Sequence, residues 1–308
     1  MYRFESNIDP RVLEKRYKEI YSRIDIQKRW NNAVKVCLEL AQTLPKGVKP
    51  IDLLTMKYEK LVDVYLQYKC VYKNLDIVGK DALNKAARTV YNYDSAKRKI
   101  KNFLMDTDNG FEIHNCVYCD LVDVRSFGEG KRQFDTEHIL DKGECPLVGL
   151  SLYNFCPACG VCNTDCKGTN PIGTNETQMK KLSPTSKKYD FKNNVKFVLT
   201  VKPEAVGRIK YDHPEWYTIE FDYKDDDYKE IVNLFNLESR YNLLHNKLEA
   251  LEWRAKAEKC RGITSRLAVL LHIKSIEQVI EENFHLEAHR KAHSCKLKLM
   301  EDMIGCIL

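Results

Sequence analysis

The placement of cysteines constrains the fold of this chain more than any other feature. The chain has 308 residues and 12 cysteines, and several cysteines crowd into one central segment that is otherwise rich in Gly, Asp and Asn. Two CxxC pairs bracket that segment: Cys116 with Cys119, and Cys159 with Cys162. Thiolates of two such pairs can fold back to about 2.3 Å from one tetrahedral ion. The spacing therefore predicts a structural Zn²⁺ site that folds a segment too short to bury a large core.

Two other uses of the cysteines must be weighed against zinc. A disulfide framework is typical of secreted proteins, but the amino terminus lacks the apolar stretch of a signal peptide. A second spacing, CxxCxxCxxxC, matches the iron–sulfur run of bacterial ferredoxins: Cys156, Cys159, Cys162 and Cys166. Lys167 stands where those runs carry proline, and this interpretation leaves the first CxxC pair without a role. Within a zinc site, Cys156, Cys166 and His114 remain alternative ligands.

Composition favours a globular protein with a mild preference for anionic partners. Hydrophobic residues make up 44% of the chain and charged residues 31%, and 50 Lys and Arg against 44 Asp and Glu give a net charge of +6. No stretch approaches the roughly 18 apolar residues that a membrane span needs. We therefore expect a cytoplasmic protein that has no membrane partner.

The amino-terminal part, residues 1–105, shows apolar residues at helical spacing and predicts three or four helices in an antiparallel bundle. We expect the second helix to end near Pro45, and Gly79 to separate the third helix from a Lys- and Arg-rich helix that ends near Leu104. One face of this last helix is basic, and it is either a solvated surface or a phosphate-contacting face.

The carboxy-terminal part, residues 171–308, combines a small sheet with helices. Apolar residues alternate over 195–201 and over 217–223, which predicts two antiparallel strands. A long amphipathic helix is expected from Leu237 to a stop near Gly262. With a central module at 106–170, the predicted fold class is α+β and mostly helical.

The segment between the CxxC pairs, together with the residue that follows the second pair, contains the groups that phosphodiester hydrolysis requires, namely a base and hard oxygen ligands for a cation. His138 can act as the base at neutral pH. Glu137 and Asn163 offer the oxygen ligands that Mg²⁺ or Mn²⁺ prefers. Because adjacent residues on a strand point to opposite faces, Glu137 and His138 can reach one site only if the strand kinks or ends there.

These residues together resemble the HNH (ββα-metal) endonuclease family in its zinc-stapled form, over residues 116–168. The resemblance implies that His138 is the general base, that Glu137 and Asn163 bind the catalytic metal, and that Asn154 braces the loop. It also makes Lys167 a candidate phosphate contact. The chain departs from the family pattern after His138, where Ile-Leu-Asp-Lys replaces a proline-bearing motif, and it has three residues between Asn163 and Lys167.

The resemblance implies a DNA endonuclease with a one-metal mechanism. The overall plan is also similar to HNH nucleases of Septu-type or retron-associated antiphage defence systems, which implies a partner ATPase. One module cuts one strand, so we expect a homodimer or a larger assembly. The alternative function is a non-catalytic zinc knuckle that binds nucleic acid or protein and in which Glu137 and His138 are ordinary surface residues.

Overall fold

A computed structural model describes residues 1–125, 133–207, 211–271, 281, 284, 286–291 and 294–305, with backbone alone for 260–271, 287, 288 and 291. The described chain is mostly helical and contains two small antiparallel sheets, which confirms the predicted α+β class. None of the described helices combines the length and the apolar character that crossing a membrane requires.

Twelve α-helices and four strands can be numbered in chain order within the described residues. The helices are α1 (Pro10–Glu19), α2 (Ile26–Val36), α3 (Tyr58–Lys73), α4 (Ile77–Val90), α5 (Tyr93–Met105), α6 (Glu176–Lys181), α7 (Phe191–Asn194), α8 (Lys229–Leu234), α9 (Leu237–Tyr241), α10 (Leu244–Leu271), α11 (Leu286–Lys291) and α12 (Leu297–Gly305). The strands are β1 (Asp135–His138), β2 (Phe155–Ala158), β3 (Val195–Val201) and β4 (Tyr217–Tyr223).

The chain divides into two compact units. The first contains residues 2–113 and 124–189, and the second contains residues 1, 114–123 and 190–308. Most of the segment predicted as a separate central module, 106–170, thus falls in the same unit as the amino-terminal helices. The division into three domains stays a prediction.

Capping residues set where helices begin in the first unit. Asp76 accepts a hydrogen bond from the backbone N–H of Gly79 at 2.7 Å, so Gly79 lies in the first turn of α4. The expectation that Gly79 separates two helices is therefore wrong. The helix breaks lie on either side of it: between α3 and α4 at residues 74–76, and between α4 and α5, where Asn92 accepts a hydrogen bond from the N–H of Ser95 at 3.1 Å.

The second helix is shorter than its apolar pattern suggests. Helix α2 ends at Val36 because Cys37 has an extended backbone (φ −139°, ψ 101°), which cannot continue an α-helix. A 3₁₀ helix, Leu38–Thr43, then carries the chain to the predicted end before Pro45. This 3₁₀ helix buries Leu40 and Thr43 but leaves Leu38 and Ala41 exposed, so it follows the apolar pattern only in part.

The amino-terminal helices of the first unit pack against the loop that follows β1. The hydroxyl of Tyr17 donates a hydrogen bond to the carbonyl of Leu150 at 2.9 Å, and its ring packs edge-on against Phe103 at 5.0 Å between centroids. Tyr17 is fully buried. Helices α1 and α5 therefore support the loop that carries the candidate site.

The second unit contains the predicted strand pair. Strands β3 and β4 are antiparallel, with Val195 opposite Tyr223 and Val201 opposite Tyr217, and they confirm both predicted ranges. The side-chain amide of Asn242 bonds to both the N–H and the C=O of Ile219 on β4, at 2.9 and 2.7 Å.

Those bonds lie where α9 ends and α10 begins, so the helix predicted from Leu237 is interrupted. Helix α10 then continues through Gly262 to Leu271, and the predicted stop at Gly262 is wrong. A glycine inside a helix costs only about 1 kcal/mol relative to alanine, which a long helix can absorb.

Candidate metal centre and cleft

A short hairpin followed by a helical turn positions the predicted site residues. Strand β1 pairs antiparallel with β2, with Glu137 opposite Cys156 and His138 opposite Phe155. Strand β1 ends at His138, as required if two adjacent residues are to reach one cleft. The segment Val161–Lys167 then forms a π-helix, a rare conformation that is frequent at functional sites.

Asn154 braces the loop between the two strands. Its Oδ1 accepts a hydrogen bond from the N–H of Leu140 at 2.8 Å, and its Nδ2 donates to the carbonyls of Leu140 at 3.0 Å and Val148 at 3.1 Å. The side chain is fully buried. Asn154 therefore holds the backbone of the loop that follows His138.

His138 lies between two aromatic rings and is only 6% exposed. Its ring packs edge-on against Tyr93 at 4.4 Å and against Phe155 at 4.9 Å between centroids. Its Nε2 lies 3.2 Å from the carbonyl oxygen of Gly149. Because a carbonyl can only accept a hydrogen bond, Nε2 carries the proton and Nδ1 keeps its lone pair.

Burial lowers the pKa of His138 from 6.5 to about 3, and the nearby positive charge of Lys142 lowers it further. The imidazole is therefore neutral at physiological pH. A neutral ring with an unprotonated Nδ1 is the form that can accept a proton from water.

Glu137 is buried beside a cation. It is 4% exposed, and its Oε1 lies 2.7 Å from the Nζ of Lys167, which also donates to the backbone carbonyl of His138 at 3.0 Å. Burial raises the pKa of Glu137, and the positive charge of Lys167 opposes that rise.

The placement of Lys167 bears on the predicted phosphate contact. Its side chain is 1% exposed and its ammonium group is engaged within the fold. This placement favours a role in holding Glu137 and the end of β1 over direct contact with a phosphate.

Asn163 is oriented by Asp135, a residue for which the sequence analysis proposes no role. Its Nδ2 donates a hydrogen bond to Oδ2 of Asp135 at 3.1 Å, which leaves the amide Oδ1 as the group that can bind a cation. Asp135 and Glu137 are two residues apart on β1 and so share a face of the strand. That alternation was the signal that could have singled out Asp135.

An open cleft of about 380 Å³ brings the predicted residues together. Its lining includes Glu137, His138 and Asn163 with Asp135, Asp141, Lys142, Tyr93 and Lys97. Two of these, Tyr93 and Lys97, come from helix α5, outside the segment that the sequence marked as the site. The cleft thus combines an imidazole, three carboxylates, an amide and two ammonium groups.

The cysteines predicted to bind zinc form one buried group. The sulfur atoms of Cys116, Cys119, Cys159 and Cys162 all lie within 4.8 Å of one another, so the group could hold a metal ion such as zinc. Cys156, Cys166 and His114 are outside this group, which matches the predicted zinc ligands rather than the ferredoxin run.

Glu137 and His138, which the alternative of a non-catalytic zinc knuckle takes as surface residues, are buried in the wall of the cleft. The choice between the two functions stays a prediction. Comparisons of the chain with models of known protein families, with curated proteins and with solved structures find no match.

Proposed function

We propose that this protein is a metal-dependent endonuclease of the HNH type that hydrolyses phosphodiester bonds in DNA. The observation that carries the proposal is the state of His138: its Nε2 is committed to the Gly149 carbonyl, and its ring lies in a cleft shared with Glu137 and Asn163. A base and two oxygen ligands facing one cleft are the minimal set for phosphate ester hydrolysis.

In the proposed reaction, Nδ1 of His138 takes a proton from the attacking water. The Nε2–H contact with the Gly149 carbonyl orients the ring and supports the positive charge that the imidazole gains. Tyr93 and Phe155 hold the ring from two sides, and Asn154 fixes the loop beyond it. Each of these contacts reduces the freedom of the base before the substrate arrives.

The donor set of the cleft fits Mg²⁺ or Mn²⁺. Glu137 and Asn163 would hold the ion, and the carboxylates of Asp135 and Asp141 in the same cleft add to the negative field. When bound, such an ion supplies positive charge that offsets the charge developing on the phosphate and the leaving oxygen. Asp135 orients the Asn163 amide, and Lys167 compensates the buried Glu137.

The four-cysteine group has a structural role in this proposal. Cys162 directly precedes Asn163, and Cys159 accepts a hydrogen bond from the backbone N–H of Asn163 at 2.9 Å through its carbonyl oxygen. A Zn²⁺ ion held by the cysteines would therefore fix the backbone on which the Asn163 ligand sits.

The wider biological role rests on the resemblance of the chain to HNH nucleases of antiphage defence systems. It leads us to propose that the protein is a defence effector in the cytoplasm and acts with a partner ATPase. Because one module cuts one strand, a double-strand break would require a homodimer, a larger assembly or two successive nicks.

The test is cutting of supercoiled plasmid by purified protein in Mg²⁺ or Mn²⁺. We expect nicked or linear product that depends on the added divalent ion, and a loss of at least about 100-fold in rate for His138→Ala. His245 is an exposed histidine on α10, so His245→Ala is the matched control and should cut like the wild type. Equal cutting by the wild type and His138→Ala would show that His138 is not the base.

A further inference from the structure

Helix α5 contributes to the cleft although it lies well before the CxxC segment in the chain. Tyr93, its first residue, packs against His138, and Lys97, one turn later, lines the same cleft. The Nζ of Lys142 lies 5.0 Å from the centroid of the Tyr93 ring on the cleft wall. The candidate active site is therefore assembled partly from the amino-terminal helices.

The cleft wall continues along one side of α5, because residues of this helix recur there at four-residue intervals. Tyr93, Lys97 and Lys101 are four residues apart, so they follow one flank of the helix, with about 6 Å of rise between successive members. Ala96 and Ile100 on the neighbouring stripe are buried against the unit. Lys97 is exposed, so its ammonium group faces solvent at the mouth of the cleft.

The charged groups of the cleft come from two parts of the chain. The carboxylates of Asp135, Glu137 and Asp141, together with the ammonium group of Lys142, come from β1 and the loop after it. Lys97 comes from α5, and among the described residues no carboxylate lies within ion-pair distance of it. An exposed ammonium group at the mouth of a phosphodiester-cutting cleft is complementary to the charge of a nucleic acid strand.

We infer that the flank of α5 formed by Tyr93, Lys97 and Lys101 is the surface along which the DNA backbone enters the cleft, with Lys97 contacting a phosphate next to the one that is cut. This inference rests on the proposed function, and it identifies the surface of the protein that would bind the DNA substrate. Contacts of this kind position the duplex without reading its sequence. Lys97 is thus a positioning residue rather than a catalytic one.

Binding of a labelled DNA duplex, measured by fluorescence anisotropy over a range of salt concentrations, tests this surface. The variants are Lys97→Gln and Lys99→Gln in a His138→Ala background that does not cut. Lys99 is equally exposed but lies about 200° around the same helix, where its Nζ is 3.4 Å from the Ile20 carbonyl. It is therefore a control matched in charge, exposure and helix.

We expect Lys97→Gln to weaken binding several-fold and to reduce the slope of log affinity against log salt by about 0.9, which corresponds to one phosphate contact. The loss should be equal for two duplexes of unrelated sequence. Lys99→Gln should keep the wild-type slope. In a background that can cut, Lys97→Gln should raise KM for plasmid with little change in kcat.

Two results would overturn the inference. One is that Lys97→Gln leaves the affinity and the salt slope unchanged, or that Lys99→Gln loses as much affinity as Lys97→Gln. If the wild type still cuts DNA in that case, the proposed function survives and only the surface is rejected. The other is a slope change seen only with duplex RNA, which would assign the surface to a different polymer. A slope change on DNA in a protein that never cuts would instead keep the surface and reject the nuclease.

Discussion

Replacing Asn154 tests the structural basis of the candidate site independently of any activity. In Asn154→Ala the backbone N–H and C=O of Leu140 both lose the partners that the amide supplies at 2.8 and 3.0 Å. The carbonyl of Val148 is less affected, because it also accepts from the N–H of Ser151 at 3.2 Å. Two buried backbone groups are therefore left unsatisfied.

Each unsatisfied buried group costs about 1 to 3 kcal/mol, so we expect Asn154→Ala to lose roughly 2 to 6 kcal/mol of unfolding free energy. That is a large share of the stability of a typical domain, about 5 to 15 kcal/mol. Asn154→Asp keeps the shape and the acceptor for Leu140 but removes both donors. It should therefore also destabilise the protein, because a carboxylate oxygen of residue 154 would face the carbonyl oxygens of Leu140 and Val148.

Equilibrium unfolding in urea measures the effect, from the shift in midpoint at an unchanged m value. Asn74 provides a control, because its Nδ2 donates one hydrogen bond, to the Cys70 carbonyl at 3.1 Å, from an exposed position. Asn74→Ala should cost less than about 1 kcal/mol. If Asn154→Ala were no more destabilising than Asn74→Ala, the assignment of Asn154 as the brace of the loop would be refuted.

Three further predictions concern other parts of the site. His138 has a pKa of about 3 in the folded protein and 6.5 when unfolded. Between these pH values it is neutral in the folded state and protonated in the unfolded state, so the free energy of unfolding should fall as pH drops below 6.5. In Mg²⁺-free buffer, the unfolding free energy of the wild type should fall by up to about 1.4 kcal/mol more per pH unit than that of His138→Gln. Parallel curves of unfolding free energy against pH for the two proteins would contradict this. Elemental analysis should find one zinc per chain and less in Cys162→Ser, whereas the exposed Cys70→Ser should keep it; equal zinc in both variants would exclude the cysteine site. Lys167→Met should cost about 3 kcal/mol by leaving the Glu137 carboxylate buried without its cation, and adding Glu137→Gln should restore part of the loss, which denaturant unfolding of both variants would show.

Local patterns in the sequence were sufficient for several elements. Strands β3 and β4 have the predicted bounds because alternation of apolar residues is a local property of a half-buried strand. The four-cysteine group follows from CxxC spacing for a similar reason, since a metal site requires particular side chains at short separation. The end of β1 at His138 was predicted on the condition that Glu137 and His138 reach one cleft, because neighbours on a strand point to opposite faces.

Glycine was an unreliable guide to helix ends. Gly79 lies within α4, where the side chain of Asp76 caps the turn, and Gly262 lies within α10. Both helices continue because the surrounding hydrogen bonds outweigh a cost of about 1 kcal/mol. The interruption between α9 and α10 instead lies beside Asn242, which bonds to Ile219 on a strand that is distant in the chain.

The sequence by itself determined which chemical groups the candidate site contains: the imidazole of His138, the carboxylate and amide oxygens of Glu137 and Asn163, and the thiols of the two CxxC pairs. Only the tertiary structure decided the state and surroundings of those groups. The Gly149 carbonyl sets the tautomer of His138, and Lys167 turns inward to Glu137. Helix α5 brings Tyr93 to the cleft. These outcomes depend on packing between residues far apart in the chain, for which no local spacing rule exists.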